Sequence, residues 1–159
     1  MQIINAVPSR DKFYVALQLL LFILYALPVS VGSFRIGYNL KLLCAIAMII
    51  GGFTIIISLF QLRNQLSPFP SPRQRHQLIQ SGLFKYVRHP IYSGILFFVV
   101  GFAAFQESVF KLIISLLLGV LFYLKSNYEE KLLTKIYKEY KDYKRRTGKF
   151  LPKFKKMQR

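Results

Sequence analysis

Hydrophobic residues in this chain gather in long runs free of charge. Between Lys12 and Arg35 lie 22 uncharged residues, 13–34, and between Lys41 and Arg63 another 21, 42–62. About 20 residues at a rise of 1.5 Å each cross ~30 Å of hydrocarbon, so each run predicts a transmembrane helix. Inside lipid, a helix satisfies the backbone polar groups of such a segment from within. Pro28 is a kink candidate in the first helix, and Gly51-Gly52 marks where another helix comes close to the second. The first run is too long for a cleaved signal peptide and lacks a small-residue cleavage pattern.

The second half is less regular. Runs 91–106 and 109–124 are separated by Glu107 and Ser108, and the latter contains Lys111. Each is short for a full crossing. They predict a tight helical hairpin that spans, with a re-entrant pair as the alternative. Lys111 lies near the turn, where a long side chain reaches the far interface. Pro90 suits the first turn of a helix, because that position needs no intrahelical donor. The expected fold is all-α. It is a polytopic membrane bundle of about four transmembrane helices, the last two a hairpin, with a basic cytoplasmic C-terminal helix. The chain reads as one integral-membrane domain, 1–159.

Composition sharpens this picture. Of 159 residues 53% are hydrophobic, yet 23 Lys and Arg face only 6 Asp and Glu, a net charge of +17. A basic disordered tail lacks such an apolar half, and so does an ordinary nucleic-acid-binding domain. One cysteine excludes an internal disulfide and a cysteine-based zinc site, and no metal is expected. The lone Cys44, in the second apolar run, is expected in mid-membrane as a small packing residue. Residues 63–89 carry five basic residues and no acid, and residues 125–159 carry 13 basic against 4 acidic. With four crossings both segments share a side with the N-terminus. The positive-inside rule makes that side cytoplasmic.

Candidate chemistry sits on that same side. Pro68, Pro70 and Pro72 open an extended connector, which leads through His76-Gln77-Leu78-Ile79 and Ser81-Gly82 to Lys85-Tyr86-Val87-Arg88-His89-Pro90-Ile91-Tyr92. Interfacial anchoring by Tyr and Arg explains most such clusters. A helix starting at Pro90 also presents the free N–H groups of Ile91 and Tyr92 and a positive dipole end, a site for a carboxylate or phosphate. Arg88 and His89 add side-chain donors. The adjacent acids Glu129-Glu130, beside Tyr128, form the second cluster. They read either as a helix leaving the membrane or as a holder for an ammonium or sulfonium group. The two clusters together describe an amino-acid-like ligand. Beyond them Tyr137, Tyr140 and Tyr143 form a helical stripe among Lys and Arg, the pattern of a surface helix on anionic lipid headgroups. Nucleic acid is not an expected partner.

Ser81-Gly82, Tyr86-Val87-Arg88-His89-Pro90-Ile91-Tyr92, Glu129-Glu130-Lys131-Leu132-Leu133, and Tyr140, Tyr143, Arg146 and Leu151-Pro152 together resemble one family. It is the isoprenylcysteine carboxyl methyltransferase and phospholipid methyltransferase superfamily. The likeness runs from Pro68 to Pro152, within a methyltransferase core assigned to 66–152. It implies S-adenosylmethionine as cofactor, with His76, Gln77, Leu78 and Ile79 matching the family's first cofactor stretch. His89, Pro90, Ile91 and Tyr92 match the second stretch, and Glu129 matches the cofactor-binding glutamate. Arg88 and Glu130 flank these as further candidates. Phe84 stands where eukaryotic members have a cofactor-contacting Tyr, and Lys125 where they have a substrate-linked Arg. Lys does not reproduce a bidentate guanidinium–carboxylate pair.

Methyl transfer from a sulfonium is an in-line displacement that asks for alignment and desolvation more than acid–base chemistry. No dedicated catalytic base stands out: the resemblance commits His89 to the cofactor, and His76 and Glu129 are the candidates that are left, Glu129 more readily read as a cofactor ligand. That favours an anionic, lipophilic acceptor, such as an isoprenylcysteine-like carboxylate, arriving sideways from the bilayer. Amine methylation of a phospholipid is the alternative. A non-catalytic membrane adaptor, using its basic tail on anionic lipid, is a reading of another class. The expected location is the plasma or inner membrane of a bacterium, or the endoplasmic reticulum of a eukaryote.

Overall fold

A computed structural model describes residues 8–29, 31–63, 69 and 78–153. They form five α-helices: α1 (Ser9–Ala26), α2 (Tyr38–Leu62), α3 (Pro90–Phe105), α4 (Val109–Ile136) and α5 (Tyr140–Arg146). A 3-10 turn, Gly82–Lys85, precedes α3. Among the described residues there is no strand, only isolated bridges at Ser33–Ser108 and Val87–Gly148. The all-helical expectation holds.

Helix ends depart from the charge-free runs, and proline explains the largest departure. α1 starts at Ser9 and stops at Ala26 instead of covering 13–34, because Leu27 adopts extended backbone (φ −64°, ψ 139°) ahead of Pro28. A residue before proline is pushed out of the helical region, so Pro28 ends the helix where a kink was expected. α2 begins at Tyr38, earlier than the run 42–62, and takes Lys41 into its first turn. The Lys41 ammonium pairs with Glu107 at 3.2 Å. α2 and α4 are the described helices long and apolar enough to cross a membrane, whereas α3 is shorter, with 16 residues.

Residues 106–108 join α3 to α4. Glu107 there has φ 55°, an uncommon conformation for a side-chain-bearing residue. Its carboxylate accepts the Ile36 N–H at 2.9 Å and pairs with Lys41, while the Ser108 hydroxyl caps the Lys111 N–H. Lys111 turns back to Gln106 at 2.7 Å and lies 4.8 Å from the Phe102 ring centre.

The helices pack in the spatial order α2, α3, α4, α1. Leu21, Val99, Ile114, Leu118, Leu121 and Phe122 form the core shared by α1, α3 and α4. On α2, Ile46, Ile49, Phe53, Ile56 and Phe60 are exposed, an apolar face suited to hydrocarbon. The α2–α3 contact is a backbone approach made through glycine. A Cβ added to Gly51 would stand 2.6 Å from the Gly94 carbonyl oxygen, whereas one on Gly52 would meet open space. Gly51→Ala is therefore expected to destabilise the protein by about 1–3 kcal/mol through overpacking. Gly52→Ala should be close to neutral. Thermal unfolding in detergent checks the pair, and equal effects would contradict the packing.

Beyond α5 the chain doubles back over the entry of α3 as a strap. The Arg88 and His89 N–H groups donate to the Gly148 and Lys149 carbonyls at 2.9 and 3.1 Å, and the Gly148 N–H returns to Tyr86 at 3.2 Å. The Ser93 hydroxyl donates to the Phe150 carbonyl at 2.6 Å, and the Tyr143 hydroxyl to that of Phe84 at 2.6 Å. This corrects the reading of the tyrosine stripe. The chain is non-helical between Ile136 and Tyr140, and Tyr140 and Tyr143 are buried in protein instead of lying on lipid. Periodicity sets which residues share a face but not what covers that face.

Candidate functional site

Two short segments converge: the entry of α3 and the last turns of α4. At the entry, Pro90 occupies the first helical turn behind His89, whose backbone lies outside the helical region (φ −125°, ψ 62°). The strap takes the N–H groups of Arg88 and His89. Those of Ile91 and Tyr92 are first-turn donors with no acceptor among the described residues, as a helix start dictates. The Tyr92 ring lies between His89 (5.5 Å, 6° between planes) and Phe122 (4.8 Å, 5°).

On α4, neighbouring carboxylates face different surroundings. Glu130 is 2% exposed and enclosed by Arg88 Nε at 2.9 Å, His89 Nε2 at 3.2 Å and Lys144 Nζ at 2.8 Å. Arg88 also donates to the carbonyls of Lys144 and Thr147. Arg88 and Glu130 thus lock the strap to both helices. Glu129 keeps 27% side-chain exposure. It accepts the Tyr92 hydroxyl at 3.3 Å and lies 3.9 Å from His89 Nδ1. Of the two acids, Glu129 is the one a ligand can reach.

Lys125, one turn earlier, is 2% exposed. Its ammonium donates to Gln18 Oε1 at 2.7 Å and lies 5.5 Å from the Tyr92 ring centre. Gln18 comes from α1, a helix read from sequence only as a membrane span. The available signal was an amide inside an apolar run, since polar residues at membrane depth mark functional interiors. Asp11, also on α1, is fully buried. Lys149 on the strap donates to Asn127 Oδ1 at 2.6 Å and sits 4.3 Å over the Tyr123 ring centre.

His76 and Gln77 lie outside the described residues. Leu78 and Ile79 are half-buried and lead into the 3-10 turn. Phe84 is buried, with its carbonyl bound by Tyr143. Burial pushes the Tyr143 phenol up to about 12 and the Tyr140 phenol upward as well, so both remain protonated donors at neutral pH.

Arg88, His89, Pro90, Ile91, Tyr92, Lys125, Glu129 and Glu130 therefore occupy one continuous region. A family model described as phospholipid methyltransferase matches residues 40–140, more than half of the chain. The chain belongs to the phospholipid methyltransferase family. No curated protein matches it. Membership makes it a membrane methyltransferase, in keeping with the apolar faces of α2 and α4. The family match begins inside α2 and ends at Tyr140. Gln18 and the strap therefore lie outside the matched segment, although both contact its polar residues.

Proposed function

We propose that the protein transfers the methyl group of S-adenosylmethionine to a lipophilic, anionic acceptor at the cytoplasmic face of a membrane crossed four times. The carrying observation is the Tyr92–Glu129 hydrogen bond, which ties the start of α3 to an accessible carboxylate among aromatic rings. The residues suit the charges of both signs on the cofactor's methionine portion. Glu129, beside Tyr92, suits an ammonium or sulfonium, and the Ile91 and Tyr92 N–H groups suit a carboxylate. As the resemblance implies, His76, Gln77, Leu78 and Ile79 would take part in holding the cofactor, with Phe84, Arg88, Pro90 and Glu130 as further candidates. When bound, the cofactor supplies an electrophilic methyl on a sulfonium.

The chain's own contribution is positioning and desolvation. His89 is engaged by Glu130, which leaves Glu129 as the accessible carboxylate and no separate base beside it. An acceptor already deprotonated needs none. That supports a carboxylate over an amine, and Lys125 is the counter-charge that would orient it. An open apolar groove of about 480 Å³ between α2, α3 and the strap, lined by Cys44, Ala47, Leu96, Phe97 and Phe150, would accommodate hydrocarbon beside the site, although Tyr92, Lys125 and Glu129 do not line it. The basic residues of α5 would meet anionic lipid headgroups.

Labelled methyl transfer from S-adenosylmethionine to a total membrane lipid extract tests this reading. The expected product loses its label as methanol in mild base, as a methyl ester does, and forms at a rate flat between neutral and mildly alkaline pH. A base-stable product whose formation accelerates with pH would show amine methylation instead. No labelled product at all would overturn the reading.

A further inference from the structure

Resting on the methyltransferase reading, we propose that Tyr140 is a cofactor ligand, its hydroxyl bonding to the nucleoside of S-adenosylmethionine. Two tyrosines of α5 differ in one respect. Their rings meet edge to face at 5.7 Å and 67°, and both are buried. Tyr143 donates its hydroxyl to Phe84. Tyr140, 1% exposed, has a buried hydroxyl with no hydrogen-bond partner among the described residues. A buried hydroxyl left unpaired is a net cost to folding, and phenylalanine would fill the same space without it. The hydroxyl is therefore explained by a partner that arrives later.

Its place in the fold says which partner. α5 packs on the end of α4, where its Lys144 meets Glu130 at 2.8 Å and its Tyr143, in ring contact with Tyr140, holds the Phe84 carbonyl, so the phenol stands on the Arg88–Glu130 side of the site. Glu130 is already engaged by Arg88, His89 and Lys144. Glu129 is an acceptor only, so that flank needs a donor for the acceptor atoms of a nucleoside, its ribose oxygens and ring nitrogens. Water does not reach the hydroxyl. In this conformation protein encloses the hydroxyl, so the proposed contact includes a shift of α5 that uncovers it for the nucleoside.

Calorimetry and thermal unfolding of the full chain in detergent test this. Tyr140→Phe is expected to weaken S-adenosylhomocysteine binding at least tenfold, and 5′-methylthioadenosine binding likewise. The unfolding temperature without ligand should equal or exceed that of the wild type. Tyr143→Phe, the control, should lower the unfolding temperature by removing the bond to Phe84. Wild-type-like affinity in Tyr140→Phe would overturn the proposal, as would parallel losses of affinity and stability, which mark a structural role. Loss confined to S-adenosylhomocysteine would overturn the nucleoside assignment. If the wild type binds neither compound, the methyltransferase reading fails first and takes this proposal with it.

Discussion

Glu130→Ala is expected to destabilise the folded protein by about 3–5 kcal/mol, the usual result of removing one side of a buried ion pair. Arg88 and His89 have side-chain exposures of 8% and 5%, so neither charge nor polar nitrogen regains water when the carboxylate goes. Lys144, half exposed, adds little because solvent screens it. The damage spreads beyond the pair. Arg88 also holds the carbonyls of Lys144 and Thr147, so loss of its anchor loosens the strap over the start of α3. Denaturation in detergent reads this directly, and a variant as stable as the wild type would show that the cluster contributes nothing net. Glu130→Gln, which keeps an acceptor but no charge, should fall between the two.

The neighbouring acid should behave in the opposite way. Glu129→Gln is expected to fold like the wild type and to bind S-adenosylhomocysteine at least tenfold more weakly, about 1.4 kcal/mol. The amide still accepts the Tyr92 hydroxyl and occupies the same volume, so the packing around Phe122 is undisturbed. What it lacks is the charge offered to a cationic ligand on the accessible side of the site. Calorimetry measures the change; unchanged affinity would remove Glu129 from the cofactor's surroundings. Two residues adjacent in sequence would thus separate stability from binding. One side chain points into the Arg88 cluster, and the other toward Tyr92.

Parts of this site were legible in the chain itself. Pro90, at the boundary between a polar segment and an apolar run, marks a helix start, because the first helical position needs no N–H donor. Acids are so scarce here that Glu129 and Glu130 stand out without a structure. Neither signal separates the two glutamates, because successive helical positions differ by about 100° and the outcome depends on what packs at each angle. The Gln18–Lys125 bond joins residues 107 positions apart and leaves no periodic trace. The same holds for the strap, whose backbone bonds from Gly148 and Lys149 to Arg88 and His89 depend on carbonyl positions and not on side-chain type.

The apolar runs and proline positions by themselves determined the helical class and where α3 begins. Bilayer-spanning and helix-starting signals are local, and each needs only neighbours in the chain. Tertiary structure alone decided that Glu130 is locked and Glu129 open, that α1 supplies a partner for Lys125, and that the tail binds protein at the helix entry. Those outcomes are set by which surfaces meet across long sequence separations, where hydrogen bonds and desolvation act on distance in space.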